Sequence, residues 1–293
     1  MMMKTIYILS LSLIVFLISN SCTEKIDIKL DETYTRLVVE GGLTTDTMIH
    51  SIYLSKTAPY FSNEAAPKIS GAHVYLNDDE GHQIVFEELE SGIYQTQEET
   101  FGISGKTYEM TIELAEEISD NKVYHATSTI PYLDPIDSIG LVFDPGFGRE
   151  GYWIIQLYAQ DPVNVANFYM FNVYKNGILM TDTLDKVSFT DDKLFDGSYT
   201  NGIGVVYFNN AKENERFEIG DSVTLVVSGI TQEHYTFMND VIRSTSFQNP
   251  MFGGPPANVI GNIDKGAFGY FATFSSTHAS LIVSEENTIG NEY

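Results

Sequence analysis

The chain of 293 residues has one cysteine, one tryptophan and 16 basic residues against 40 acidic ones. With one thiol there is no internal disulfide, so that cysteine needs another explanation if the protein is secreted. The six histidines, His50, His73, His82, His125, His234 and His278, are scattered. None forms the His-Glu-x-x-His pair that sets two zinc ligands on one helix face, and no Gly-x-Ser-x-Gly elbow occurs. The readings as a zinc or serine hydrolase therefore have no motif behind them. A formal charge of −24 repels phosphate backbones, and without a Lys/Arg cluster the electrostatic footprint of a nucleic-acid binder is missing.

What is present begins at the amino terminus. Lys4 precedes an apolar run from Ile6 to Ile18, and Ser19, Asn20 and Ser21 lead directly to Cys22. The run is shorter than the roughly 20 residues of a membrane-spanning helix and reads as a secretory signal, residues 1–21. Small residues before the cysteine resemble a bacterial lipobox, with Ser19 where an aliphatic residue is usual. The expectation is cleavage before Cys22 and a diacylglycerol-type lipid on its sulfur, which would hold the protein on a membrane through its acyl chains. Residues 22–34 are then a tether.

From Thr35 onward strand signals dominate. Tyr108, Met110, Ile112 and Leu114 alternate with Glu109, Thr111 and Glu113, the period of two that buries one face of a strand. Similar runs cover 37–43, 49–55, 72–76, 83–86 and 123–130, with turn residues such as Asn77, Asp78, Asp79 and Gly81 between them. Short, evenly spaced strands predict an all-β fold of two β-sandwich domains. The first, 35–131, has glycine-marked turns that resemble immunoglobulin-like or transthyretin-like modules. Pro131 to Pro135 marks a boundary. The second, 136–285, resumes the strands and carries one inserted α-helix near 231–246, with Thr231 as its cap and Tyr235, Met238, Val241 and Ile242 as a stripe read as core. Two apolar runs, 268–274 and 280–283, are expected to close the second sheet, leaving 286–293 as a tail.

Several segments together resemble a Bacteroidota family known as domain of unknown function 4249: Ile26-Asp-Ile-Lys-Leu, Leu37-Val-Val-Glu-Gly-Gly-Leu-Thr-Thr-Asp, Leu54-Ser-Lys-Thr-Ala-Pro-Tyr-Phe, Phe195-Asp-Gly and Ile263-Asp-Lys-Gly-Ala-Phe-Gly-Tyr-Phe. The similarity spans nearly the whole mature chain. It implies an outer-membrane lipoprotein, exposed at the cell surface, with a TonB-dependent transporter as its partner, and it assigns no catalytic residue.

The candidate chemistry is sparse. Gly146, Gly148 and Gly151 match Gly-x-Gly-x-x-Gly, but the alternating Tyr152, Ile154, Gln156 and Tyr158 follow where a nucleotide fold needs a helix, so a hairpin loop is expected. Asp185, Asp191, Asp192 and Asp196 with Gly197 could gather carboxylates about Ca2+, which prefers six to eight oxygens, or form a solvated turn. Asp191, Asp192 and Asp196 are the metal candidates. Tyr60 and Phe61, beside Pro59, and Trp153, in an alternating strand, are candidates for partner contact, with core packing the alternative for Trp153. Asp46-Thr-Met, Asp137-Ser-Ile, Asp182-Thr-Leu and Asp221-Ser-Val match a short O-glycosylation pattern that strand starts also produce. The reading is a non-enzymatic accessory or binding subunit of a TonB-dependent nutrient transport system. A surface adhesin or assembly component, and a cryptic hydrolase with paired carboxylates, are the alternatives.

Overall fold

The computed structural model describes residues 35–58, 64–245 and 259–288. Its strands in chain order are β1 (Leu37–Thr44), β2 (Ser51–Lys56), β3 (His73–Asp78), β4 (Gln83–Glu90), β5 (Ile93–Thr96), β6 (Thr107–Ile118), β7 (Asn121–Thr129), β8 (Ser138–Asp144), β9 (Tyr152–Tyr158), β10 (Phe168–Lys175), β11 (Ile178–Leu179), β12 (Ser188–Asp191), β13 (Ile203–Asn209), β14 (Ser222–Gly229) and β15 (Phe268–Ile282). Helix α1 (Gln232–Thr245) lies between β14 and β15, and α2 (Glu285–Thr288) follows β15. Among the described residues no helix is long and apolar enough to cross a membrane.

The fold is all-β. A 12-stranded sheet runs in the order β11-β10-β14-β15-β1-β2-β5-β4-β3-β6-β7, with β12 also on β10, and a 3-stranded sheet runs β13-β9-β8. The strands form where apolar and polar residues alternate, because each inward side chain then meets the same core. In β10, Tyr169, Phe171 and Val173 are buried, while Met170 and Asn172 between them are less so.

Two hydrophobic cores result. The first joins Leu37 and Val39 of β1, Ile52 and Leu54 of β2, and Met110 and Ile112 of β6, with Ile263 and Phe271 from far along the chain. The large sheet folds back to enclose it: Ala126 of β7 bridges to Ile263, and Thr273 Oγ1 donates to Ser128 Oγ across 2.8 Å of buried space. The second core lies between the three-stranded sheet and the β10–β14 end of the large one, joining Trp153, Ile155, Phe171, Phe208 and Leu225. Residues 131–135 run between the strands of the two cores. The expected limits 35–131 leave out Ile263, Ala267 and Phe271, which complete the first core.

The device that links the cores is β15. The two apolar runs expected near the carboxyl terminus are one strand, since Ser275 to Ala279 between them continue the extended backbone. Its first half pairs in parallel with β1, from Val38 opposite Phe268 to Thr44 opposite Phe274. Its second half pairs antiparallel with β14, from Gly229 opposite Ser275 to Ser222 opposite Ile282. Beside the first half, Asn262 replaces a neighbouring strand: its side chain donates to Phe271 O at 2.8 Å and accepts from Phe271 N at 2.9 Å. The parallel pairing is close. A Cβ on Gly42 would lie 1.6 Å from Ala272 O, so only glycine fits there.

Helix α1 begins as expected, with His234 N donating to Thr231 Oγ1 at 3.1 Å. Its stripe differs from the expectation. Tyr235, Met238, Val241 and Ile242 are only partly buried, and His234 is the buried residue. Ring contacts go with this: Tyr270 of β15 stacks on His234 at 4.9 Å and also meets Phe237, and of the stripe Tyr235 meets Phe168 of β10 at 5.1 Å. The Gly146–Gly151 segment is the loop of the β8–β9 hairpin, with Gly148 and Gly151 at positive φ.

Candidate functional site

Between the two sheets of the second sandwich, beside β13, a cavity of about 230 Å3 opens. Leu157 and Ala159 come from the end of β9, Tyr169 and Phe171 from β10, Ser188, Phe189 and Thr190 from β12, and Leu133 and Ile136 from the segment joining the cores. The β13 ladder on β9 shifts register between Gly204 and Val206, so Val205 is an extra residue and the strand bends at the cavity rim. Apolar walls with a few placed polar groups are the usual makeup of a ligand pocket.

The polar groups gather where two loops meet. Asp161-Pro162 ends the run of β9, and Asp161 is 3% exposed. Its Oδ1 accepts from the Tyr169 hydroxyl at 2.6 Å and its Oδ2 from Gly197 N–H at 3.0 Å. Gln160 Nε2 donates to Gly197 O at 3.1 Å. Phe195, in the same turn as Gly197, stacks on Tyr169 with ring centres 6.2 Å apart. Two further carboxylates fasten the loops: Asn167 N–H donates to Asp192 Oδ2 at 2.6 Å, and Asn164 N–H to Asp196 Oδ1 at 2.8 Å. Burial holds the Asp161 carboxyl above the usual carboxylate range, and the charges of Asp192 and Asp196 push the same way. Burial, followed by the bond to Asp161, raises the Tyr169 phenol.

Each of Asp161, Asp192 and Asp196 brings a carboxylate oxygen within 4.8 Å of the others, close enough to ligate one hard cation. Of the expected metal candidates, Asp192 and Asp196 thus come together, while Asp191 lies in β12 and is ion-paired with Lys193. Asp161 takes the third place. A second group, Asp78, Glu80 and His82, already has a cation: Lys106 Nζ reaches Asp78 at 2.7 Å and Glu80 at 2.8 Å, holding the Asp78 carboxyl far below its usual range.

Trp153 faces inward, 9% exposed, against Phe143 and Phe217, with Nε1 donating to Asn210 Oδ1 at 3.1 Å. It is core, not a contact platform. Cys22, Tyr60 and Phe61 lie outside the described residues. Sequence reasoning missed Asp161, Tyr169 and Phe171 as site residues. The available signal was Asp-Pro directly after an alternating strand, where a chain leaves a sheet and a carboxylate can turn inward.

A family model described as Domain of unknown function (DUF4249) matches residues 23–280. No curated protein matches the chain.

Proposed function

The chain belongs to the DUF4249 family, and on that premise we propose that it is a non-enzymatic binding subunit, a lipoprotein tethered by Cys22 to the surface of a bacterial outer membrane. The observation that carries the binding role is the cavity of the second sandwich, with its apolar walls and single buried carboxylate at Asp161. In this reading the partner is a TonB-dependent transporter, as the resemblance to Bacteroidota lipoproteins implies, and the subunit captures or hands over a small ligand beside it. The acidic body suits a protein held by lipid rather than by charge, since a net charge of −24 gives anionic lipid headgroups nothing to attract.

The test is affinity capture of the tagged, lipidated chain from solubilised outer membranes. Recovery of a TonB-dependent transporter in stoichiometric amount supports the proposal, whereas a filament subunit would favour an adhesin or assembly role. Recovery of the chain alone, with turnover of a glycan or peptide panel, would overturn it in favour of a hydrolase. The anchor has its own test: Cys22→Ser should release the protein from the membrane fraction, and a variant that stays bound and is cleaved at the same place would refute lipidation.

A further inference from the structure

The cavity carries negative charge and ring faces without a matching positive charge. Asp134 and Asp161 contribute the carboxylates, Tyr169, Phe171, Phe189 and Phe195 are among the rings, and none of the described lining residues is Lys, Arg or His. Asp134 is exposed at the rim, and its charge reaches the Tyr169 hydroxyl. Each Asp161 oxygen accepts one hydrogen bond from the protein. An ionised carboxylate offers about four lone-pair sites, so the group keeps acceptor capacity for a ligand. Where Lys106 neutralises the group at Asp78, no described lysine or arginine forms an ion pair with Asp161, Asp192 or Asp196.

We infer that the cavity selects a small organic cation, an amine whose ammonium meets Asp161 and whose apolar body lies against the rings of Tyr169, Phe171 and Phe195. The inference rests on the cavity being the ligand site of the proposed function, and it adds the class of ligand. Its physical basis is that a buried carboxylate charge without a counter-charge is costly, and an ammonium supplies both a counter-charge and hydrogen-bond donors. The aromatic faces attract the same charge through their quadrupoles. An anion would meet two carboxylates, and a neutral ligand would leave Asp161 unmatched. Asp192 and Asp196 do not line the cavity, so the organic cation is placed at Asp161 and the rings, not at the three-carboxylate cluster.

Titration calorimetry on the full chain at pH 7 tests this with four probes: phenethylamine, 3-phenyl-1-propanol, 3-phenylpropanoate and calcium chloride. Phenethylamine should bind about tenfold more tightly than the alcohol, the increment of one charge-assisted hydrogen bond with a cation–π contact, and the propanoate should bind weakest. Asp161→Asn keeps an acceptor for Tyr169 and should erase the preference for the amine. Asp134→Asn, on the exposed rim, leaves the interior contacts in place and should reduce that preference about threefold, as expected of a partly solvated charge. Equal or tighter binding of the alcohol would overturn the inference while leaving the cavity a ligand site. Calcium binding that phenethylamine does not weaken, together with no amine binding, would assign the charge to a metal and overturn it. No binding by any probe would overturn both the inference and the proposed binding role.

Discussion

His234 offers the sharpest test of how this fold is held. The imidazole sits in the first turn of α1 against Tyr270, 7% exposed, and among the described residues its Nδ1 has no hydrogen-bond partner. Burial lowers its pKa from 6.5 to about 4, because an imidazolium there would lose its hydration without gaining a counter-ion. The unfolded chain therefore takes up a proton on this side chain before the folded one does. The associated stability is fully present above the unfolded pKa and is lost as pH falls through 6.5 toward about 4. The full shift corresponds to about 3 kcal/mol, and roughly 2 to 2.5 kcal/mol of it should be gone by pH 4.5. Carboxylates also titrate near the acid end, so the measurement is a difference: urea unfolding of the wild type and of His234→Phe at pH 7 and pH 4.5. Phenylalanine keeps the stacking on Tyr270 and removes the titration. Wild type should lose roughly 2 kcal/mol more than the variant over that interval. A difference below about 0.5 kcal/mol would mean that the imidazole finds a partner or water when protonated, and the argument from burial would fail.

Tyr94 is fully buried, its hydroxyl donating to Ile69 O at 2.9 Å and accepting from Ala72 N at 3.0 Å. Tyr94→Phe leaves both backbone groups unpaired and should cost about 1–3 kcal/mol in urea unfolding, whereas Tyr207→Phe on the surface should change stability by less than about 0.5 kcal/mol. Phe271→Ala, in the first core, should cost about 3–5 kcal/mol. Because β15 is shared, the fluorescence of Trp153 in the second core should report the same shifted midpoint as far-ultraviolet circular dichroism, and a tryptophan transition left unshifted would show the cores to be independent.

The local parts of this fold were legible, and the pairings that define it were not. Period-two alternation locates β6 and β9 because each inward residue meets one core, and that signal lies within a few residues of chain. It also locates Thr231 as a cap. The partner of a strand is written nowhere so local. Nothing in Phe268–Phe274 says that it lies parallel to β1, more than two hundred positions earlier, or that the run continues unbroken into Ser280. The acidic cluster was legible only in part for the same reason: Asp192 and Asp196 come together as expected, but Asp191, the sequence neighbour of Asp192, turns to Lys193, while Asp161 arrives from another loop. The parity of Trp153 was readable once Ile155 and Leu157 are taken as its companions on the buried face, since the outward phase belongs to Tyr152 and Ile154.

The segments that carried the family resemblance acquire a physical role when placed on the structure. Leu37–Thr44 is β1, and Ile263–Phe271 brings Ile263, Ala267 and Phe271 into the first core, with Phe268 to Phe271 pairing with β1. Gly42 has to be small because Ala272 O lies where its Cβ would be. Asp264 Oδ1 accepts from His125 N–H at 2.8 Å, and Lys265 Nζ donates to Val123 O, so the same stretch pins β7 as well. Leu54, which opens another of these segments, lies in β2 and in the same core, whereas Phe195-Asp-Gly is the turn that stacks on Tyr169 and donates to Asp161. Among the described residues these segments therefore divide between two tasks, joining β1 and β15 around one core and shaping the cavity of the other. A substitution in β1 or in 263–271 should be felt first as lost stability, whereas one in 195–197 should alter what the cavity accepts, since that turn touches the rings and the carboxylate a ligand would meet.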